Sequence, residues 1–294
     1  MHSRNDPCWC GGGKKWKKCH YPVVSSHHSH LDDVPPLFPF YQKKYGIILK
    51  TKKQIEGIRK ACHITVKILN ALCASAKAGV TTNTLDALSL ELHKRYGATP
   101  APLGYGDPPY PKSICTSIND VICHGIPDDH PLQEGDILNI DVSAIVDGFY
   151  GDSSQMVMVG SVTPEKQHLV YVAHEALMRS INILRPGMLL KDIGDAIESY
   201  ARKEGCSVVN QFVGHGVGLK FHEAPEVPHH YNHSNIPLAP GMIFTIEPMI
   251  NLGVREAVID ADGWTARTAD GNPSAQWEHT VLITENSHEI LTLL

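Results

Sequence analysis

The stretch that most restricts the fold is Gly135 to Gly160, GDILNIDVSAIVDGFYGDSSQMVMVG. Two apolar runs, Ile137–Val146 and Phe149–Val159, flank Asp147-Gly148. Asp-Gly between such runs predicts a two-residue type I′ hairpin, in which both central residues take φ > 0. The turn sets the register. Val146 faces Phe149, Asp141 faces Ser154 and Asp152 faces Ser143. Side chains alternate along a strand, so Asp141 and Asp152 share one face as diagonal neighbours, with Cβ atoms roughly 7–8 Å apart. Ile137, Leu138, Ile140 and Val142 mark the first strand as buried. A buried carboxylate is costly unless it is paired or metal-bound, and two on one face repel unless a cation lies between them. The hairpin thus predicts a site for one ion or a pair of ions.

The hairpin belongs to one half of an internal repeat. From Thr51, apolar residues Ile55, Ile58, Cys62, Val66, Leu69 and Leu72 recur at helical spacing up to Gly79. Leu85, Leu88, Leu92 and Tyr96 predict a second helix ended by Gly97. The pattern returns from Gln167 to Pro186-Gly187, then through Ile193, Ile197 and Tyr200 to Gly205. Both pairs of terminating glycines stand at one constant offset. The strand Glu134–Asp141 aligns with Pro240–Glu247, and a carboxylate closes each. Gly151-Asp152 and Trp277-Glu278 each open an apolar run. A two-fold α/β arrangement would bring Asp141, Asp152, Glu247 and Glu278 to a shared centre. His215 and His222 lie in the glycine-rich stretch Gly214–Glu223, and His124 in Cys123-His124-Gly125-Ile126-Pro127; all three are ligand or catalyst candidates.

The N-terminus carries separate chemistry. Cys8, Cys10, Cys19 and His20 fall within 13 residues and can close one tetrahedral zinc site. A peptide this short has no core, so its fold would depend on the metal. The stretch resembles the short zinc motif at the carboxy terminus of the SecA translocation ATPase, the SEC-C motif. Lys14, Lys15, Lys17 and Lys18 beside Trp9 and Trp16 suit an acidic partner, and a ribosome is one such surface. Residues 1–22 are therefore read as a zinc motif, and 23–46, rich in Ser, His and Pro, as a linker. Residues 47–294 form the main domain. A net charge of −5 gives no field favouring DNA or an anionic membrane, and no apolar run of 18 residues is present. With no apolar signal-peptide core at the start, the expected location is the cytoplasm.

The ordered set Asp141, Asp152, His215, Glu247 and Glu278, with Phe221-His222-Glu223, Thr245-Ile246-Glu247-Pro248 and Glu278-His279-Thr280, closely resembles type I methionine aminopeptidases from about Tyr45 to the end of the chain. The resemblance implies the pita-bread fold, two pseudo-symmetric α/β halves around a dinuclear metal site. It implies that Asp152 and Glu278 bridge two ions, that Asp141 holds one, and that His215 with Glu247 holds the other. His124 would contact the scissile amide nitrogen and His222 its carbonyl oxygen, while Glu247 accepts the proton of water. The implied methionine pocket is Tyr105, Tyr110, Cys115, Phe221 and Trp264. Asn119, the Val121 carbonyl and Ser274 would hold a monovalent cation. One imidazole and four carboxylates suit cobalt, manganese or iron. The implied substrate is the N-terminus of a nascent polypeptide with a small second residue. Three features depart from the family pattern. The Gly104–Pro111 loop is two residues longer, Pro102 stands where Cys is common, and Trp277 replaces Tyr. The competing readings are a proline-directed aminopeptidase of the same fold and a non-catalytic binding protein attached through the zinc motif.

Overall fold

The computed structural model describes residues 34–293 and Lys15. Cys8, Cys10, Cys19 and His20, the expected zinc ligands, lie outside the described residues. The later part of the expected linker is not a tether. Phe38–Tyr45 forms helix α1, closed by Gly46 in the left-handed region. Tyr41 is fully buried and its hydroxyl donates to the Pro237 carbonyl at 2.8 Å. The proline that suggested a linker sits in the first turn of α1, where a missing N–H costs nothing, and the aromatics around it supply the buried area.

Two helix pairs follow the repeat. Helix α2 (Lys52–Ser75) opens on a reciprocal cap, with Gln54 N–H donating to Thr51 Oγ1 and Thr51 N–H to Gln54 Oε1. Helix α3 is Thr82–Tyr96, with Gly97 as its left-handed cap. Their counterparts are α4 (Pro164–Asn182) and α5 (Lys191–Lys203). Helix α2 stops four residues before Gly79, which instead donates to the Leu132 carbonyl at 2.8 Å. Gly187 does the same to Leu238 at 2.9 Å, so the repeat extends to the loop contacts. Leu69, Leu72, Leu85 and Leu92 pack on Leu138, Ile140 and Val142. Leu169, Leu177, Ile193 and Ile197 pack in the second core with Phe244, Ile246 and Val281.

Each pair covers its own antiparallel sheet. In the first half the central strand β3 (Ile137–Val146) lies between β4 (Phe149–Met158) on one side and β1 (Cys115–Ile118) with Thr99–Pro100 on the other. Strand β2 (Val121–Cys123) leads from β1 to His124. In the second half β7 (Ile243–Ile246) lies between β5 (Gly214–Gly216) and β8 (His279–Ile283). Strand β6 (Glu223–Val227) forms the edge beyond β5, and His288–Ile290 the edge beyond β8. The hairpin register is the expected one: Val146 pairs with Phe149, Ser143 with Asp152, and Asp141 with Ser154. Asp147 and Gly148 take φ of 51° and 83°, as a type I′ turn demands.

Strands β4 and β8 join the halves. Glu278 N–H donates to the Ser154 carbonyl at 3.1 Å, Ser153 Oγ to the Glu278 carbonyl at 2.9 Å, and Thr280 Oγ1 to the Asp152 carbonyl at 2.8 Å. The backbones that carry two of the four acids are thereby locked together. Helix α2 presses on the hairpin at Gly151, where a Cβ would lie 2.5 Å from the Cys62 nitrogen. Gly151→Ala must push α2 off the sheet, and overpacking of this kind costs typically 1–3 kcal/mol. A loss of unfolding free energy of that size is expected by urea titration, whereas Gly148→Asn, at an open turn position, should change it little.

Candidate metal centre

Every residue expected at the metal centre, both candidate histidines and the whole aromatic and sulfur wall line one cavity of about 940 Å³. The strand alternation explains the acids. On β3, Leu138, Ile140 and Val142 face the helices, so Asn139, Asp141 and Ser143 face the other way. Asp152 shares that face, and Ser143 Oγ donates to its Oδ1 at 2.7 Å. From the second half, Glu247 follows β7 and Glu278 precedes β8. Ligand atoms of Asp152, His215 and Glu278 lie within 4.8 Å of one another. His215 Nε2 is 3.6 Å from Asp152 Oδ2 and 3.6 Å from Glu247 Oε1.

The electrostatics of this cluster are unfavourable without a cation. Burial pushes the carboxyls of Asp141, Asp152, Glu247 and Glu278 upward, and for Asp141, Glu247 and Glu278 neighbouring carboxylates add to the shift. Burial lowers His215 to about 4, so its imidazole is neutral. Its Nδ1–H donates to the Gly216 carbonyl at 3.0 Å, which turns the Nε2 lone pair toward the carboxylates. A lone pair facing carboxylate oxygens is repulsive, yet it is the orientation a metal ligand needs. Asp141 Oδ1 is buried without a hydrogen-bond partner. Four carboxylates and one neutral imidazole with free lone pairs fit divalent cations.

Several groups that hold the ligands were not singled out in the sequence. Thr245 Oγ1 accepts from His215 N–H at 2.9 Å and donates to Glu247 Oε1 at 2.7 Å, tying two candidate ligands together. Gln276 Nε2 donates to Glu247 Oε2 at 3.2 Å. His229, buried and held neutral, accepts from the Glu247 N–H at 3.1 Å. Only their neighbourhood in space reveals them, although Ser143 was legible as the register partner of Asp152. Gly216 is required by close approach, since a Cβ there would lie 2.3 Å from the Ala224 carbonyl oxygen.

The two candidate histidines are held differently. His124 takes φ of 56°, a strained conformation of the kind that collects at functional sites, and packs edge-on against Phe212 and Trp264. The His222 ring lies 4.1 Å from the His215 ring, tilted by 53°, and its Nδ1 lies 2.8 Å from the Tyr105 hydroxyl. A buried ion pair anchors the next residue, with Lys50 Nζ 3.0 Å from Glu223 Oε1. The Gly104–Pro111 loop is pinned by Trp264 Nε1–H, which donates to the Pro108 carbonyl at 2.9 Å. Tyr110 meets Trp264 edge-on at 5.3 Å, and Cys115 pairs with Asp141 across the sheet. Trp277 points away from the acids, its indole N–H reaching the Val170 carbonyl at 3.2 Å. Asn119 and Ser274 meet directly, Ser274 N–H donating to the Asn119 carbonyl at 2.8 Å, while Val121 opens β2. No helix among the described residues is long and apolar enough to cross a membrane.

Comparison with known proteins agrees with this geometry. Residues 56–285 match the model of metallopeptidase family M24, and residues 4–22 match the SEC-C motif. The methionine aminopeptidase of Chlamydia trachomatis serovar D is 62% identical over 292 residues, 99% of both chains. The crystal structure of methionine aminopeptidase from Rickettsia prowazekii superposes with a TM-score of 0.82 at 45% identity, covering 84% of this chain and 100% of that one. The prolidase from Pyrococcus furiosus is more distant, with a TM-score of 0.67, 26% identity, and coverage of 84% and 65%. The two halves and their shared site are the pita-bread fold of these enzymes, and the chain belongs to metallopeptidase family M24 and, within it, to the methionine aminopeptidases.

Proposed function

We propose that this enzyme removes the initiator methionine from newly made polypeptides when the second residue is small, and that it works in the cytoplasm. The observation that carries the reading is the convergence of four carboxylates and a neutral imidazole from both halves of the fold on one cavity with an aromatic and sulfur wall. Asp141, Asp152, His215, Glu247 and Glu278 would together hold two divalent ions. Cobalt, manganese and iron suit this set. Such ions supply Lewis acidity, polarising a carbonyl and lowering the pKa of water.

The protein groups do the rest. Glu247 accepts the proton of the attacking water. His222 donates to the scissile carbonyl oxygen. With the Tyr105 hydroxyl on its Nδ1, its Nε2–H is the free donor. His124 contacts the amide nitrogen, which takes a proton as the carbon–nitrogen bond breaks, releasing methionine and the shortened chain. The methionine thioether lies against Tyr105, Tyr110, Cys115, Phe221 and Trp264, where sulfur–aromatic contacts add to burial. Asn119, the Val121 carbonyl and Ser274 hold a monovalent cation.

Three measurements test the reading. Asp152→Asn and Glu278→Gln should lose bound divalent metal and turnover together, and so should His215→Ala. His124→Ala should keep its metal and lose about 10²–10⁴-fold in kcat. Metal analysis beside kinetics distinguishes them, and the reverse pattern for His124 and His215 exchanges their roles. In a panel of peptides, Met-Ala and Met-Gly sequences should be cleaved and Met-Lys and Met-Phe sequences spared. Faster release of Leu or Arg than of Met, or cleavage of Xaa-Pro in preference to Met-Ala, overturns the assignment.

The N-terminal motif gives the third test. Cys8, Cys10, Cys19 and His20 bind one structural zinc, and the lysines between them dock the enzyme on an acidic translation-linked surface such as the ribosome. Tethering there raises the local concentration of nascent chains. Because α1 belongs to the core, the informative truncation removes residues 1–33 and spares Phe38–Tyr45. That truncation should lose one zinc and lower ribosome co-sedimentation at low salt, with kcat/KM on short peptides nearly unchanged. Equal co-sedimentation of both forms rules out this docking role.

A further inference from the structure

The cavity is larger than its chemistry requires. Its volume of about 940 Å³ is that of a whole small-molecule site, typically about 300–1,000 Å³, rather than of one side chain. Beyond the metal centre and the aromatic and sulfur wall, its lining includes a face made of Tyr45, Pro225, Glu226, Pro228, Ser234 and Ile236. Tyr45 is the last residue of α1, which lies before the stretch that matches the family model. The helix is fastened beside this wall, where Tyr41 donates to the Pro237 carbonyl, next to Ile236, and Tyr41, Tyr45, Ala224 and Ile236 belong to one apolar cluster.

We propose that this wall is a binding subsite for the polypeptide downstream of the scissile bond, and that its preferred occupant is a large apolar or aromatic side chain at the third or fourth substrate residue. The inference rests on the aminopeptidase reading and deepens it. An aminopeptidase substrate has nothing before its first residue. Once that residue fills the methionine pocket, the remaining cavity meets only residues beyond the cleaved bond. A small second residue leaves the area for a later one. The wall is mainly apolar, with Tyr45, Pro225, Pro228 and Ile236. Tyr45 is also preorganised. Its ring meets Phe40 edge-on at 5.9 Å, lies 5.4 Å from Tyr41, and carries Lys44 Nζ at 4.9 Å from its centroid. A rigid aromatic contact loses little entropy when a flexible chain docks on it.

The test uses the full chain and peptides Met-Ala-X-Gly-Gly and Met-Ala-Gly-X-Gly, with X as Gly, Leu or Phe, alongside a methionine anilide. X as Phe at one of the two positions should raise kcat/KM by about tenfold over Gly, mainly through KM, the effect of removing some 55 Å² of apolar surface from water. Tyr45→Ala should abolish that preference, Tyr45→Phe should keep it, and Ile236→Ala should reduce it. A flat response to X in the unaltered enzyme, with Met-Ala peptides still cleaved, overturns the subsite and leaves the function standing. Equal loss on peptides and anilide in Tyr45→Ala, with the X preference retained, makes Tyr45 merely structural and also overturns it. Failure to cleave any methionyl substrate strikes at the function itself and removes the subsite with it.

Discussion

Four carboxylates share one buried space, and their mutual repulsion is the constraint to which the surrounding structure answers. Burial raises the proton affinity of each, and Asp141, Glu247 and Glu278 are raised further by their neighbours. Such a group stays ionised only beside positive charge. The described protein supplies none to Asp141, whose Oδ1 is left without a partner, and the nearest imidazole is neutral. The charge balance of the site therefore belongs to the divalent metals of the family. The protein contributes a rigid set of oxygen and nitrogen lone pairs.

Rigidity comes from the way the two halves meet. Asp152 on β4 and Glu278, just before β8, sit on backbone that is hydrogen-bonded together, and Thr245 bridges His215 and Glu247 through one hydroxyl. The ligand spacing is thus set by hydrogen-bonded backbone and buried side chains rather than by loops. Helix pairs on the outer face of each sheet press on this frame, most closely where α2 meets Gly151. The loops that bear His124, His222 and Tyr105 are held in turn by packing, by the Lys50–Glu223 ion pair and by Trp264.

Much of this was legible in the chain. The Asp-Gly turn set the hairpin register, and the register placed Asp141 and Asp152 on one face, because a β-strand has a strict two-residue period and the turn has only two residues. The repeat of helices, glycines and acids announced two like halves. Less was legible where local signals have two meanings. The prolines and serines of 23–46 suggested a tether, yet Phe38–Tyr45 is a core helix, since a proline in the first turn starts a helix as readily as it breaks one. Gly79 suggested a helix end, and it lies in the turn beyond, donating across to Leu132.

The sequence by itself determined the hairpin, the four helices of the repeat, the identity of the acids and the family to which the chain belongs. These depend on periodicity, turn chemistry and the order of residues, which are local or countable. Only the tertiary structure decided which lone pair of His215 faces the acids, that Thr245, Gln276 and His229 fasten Glu247, and that Tyr45 reaches the cavity from α1. Each of these is a contact between segments separated by up to about two hundred residues or a choice of side-chain direction. Contacts of that kind have no period and no motif, because they exist only after both halves have packed and the chain has closed on itself.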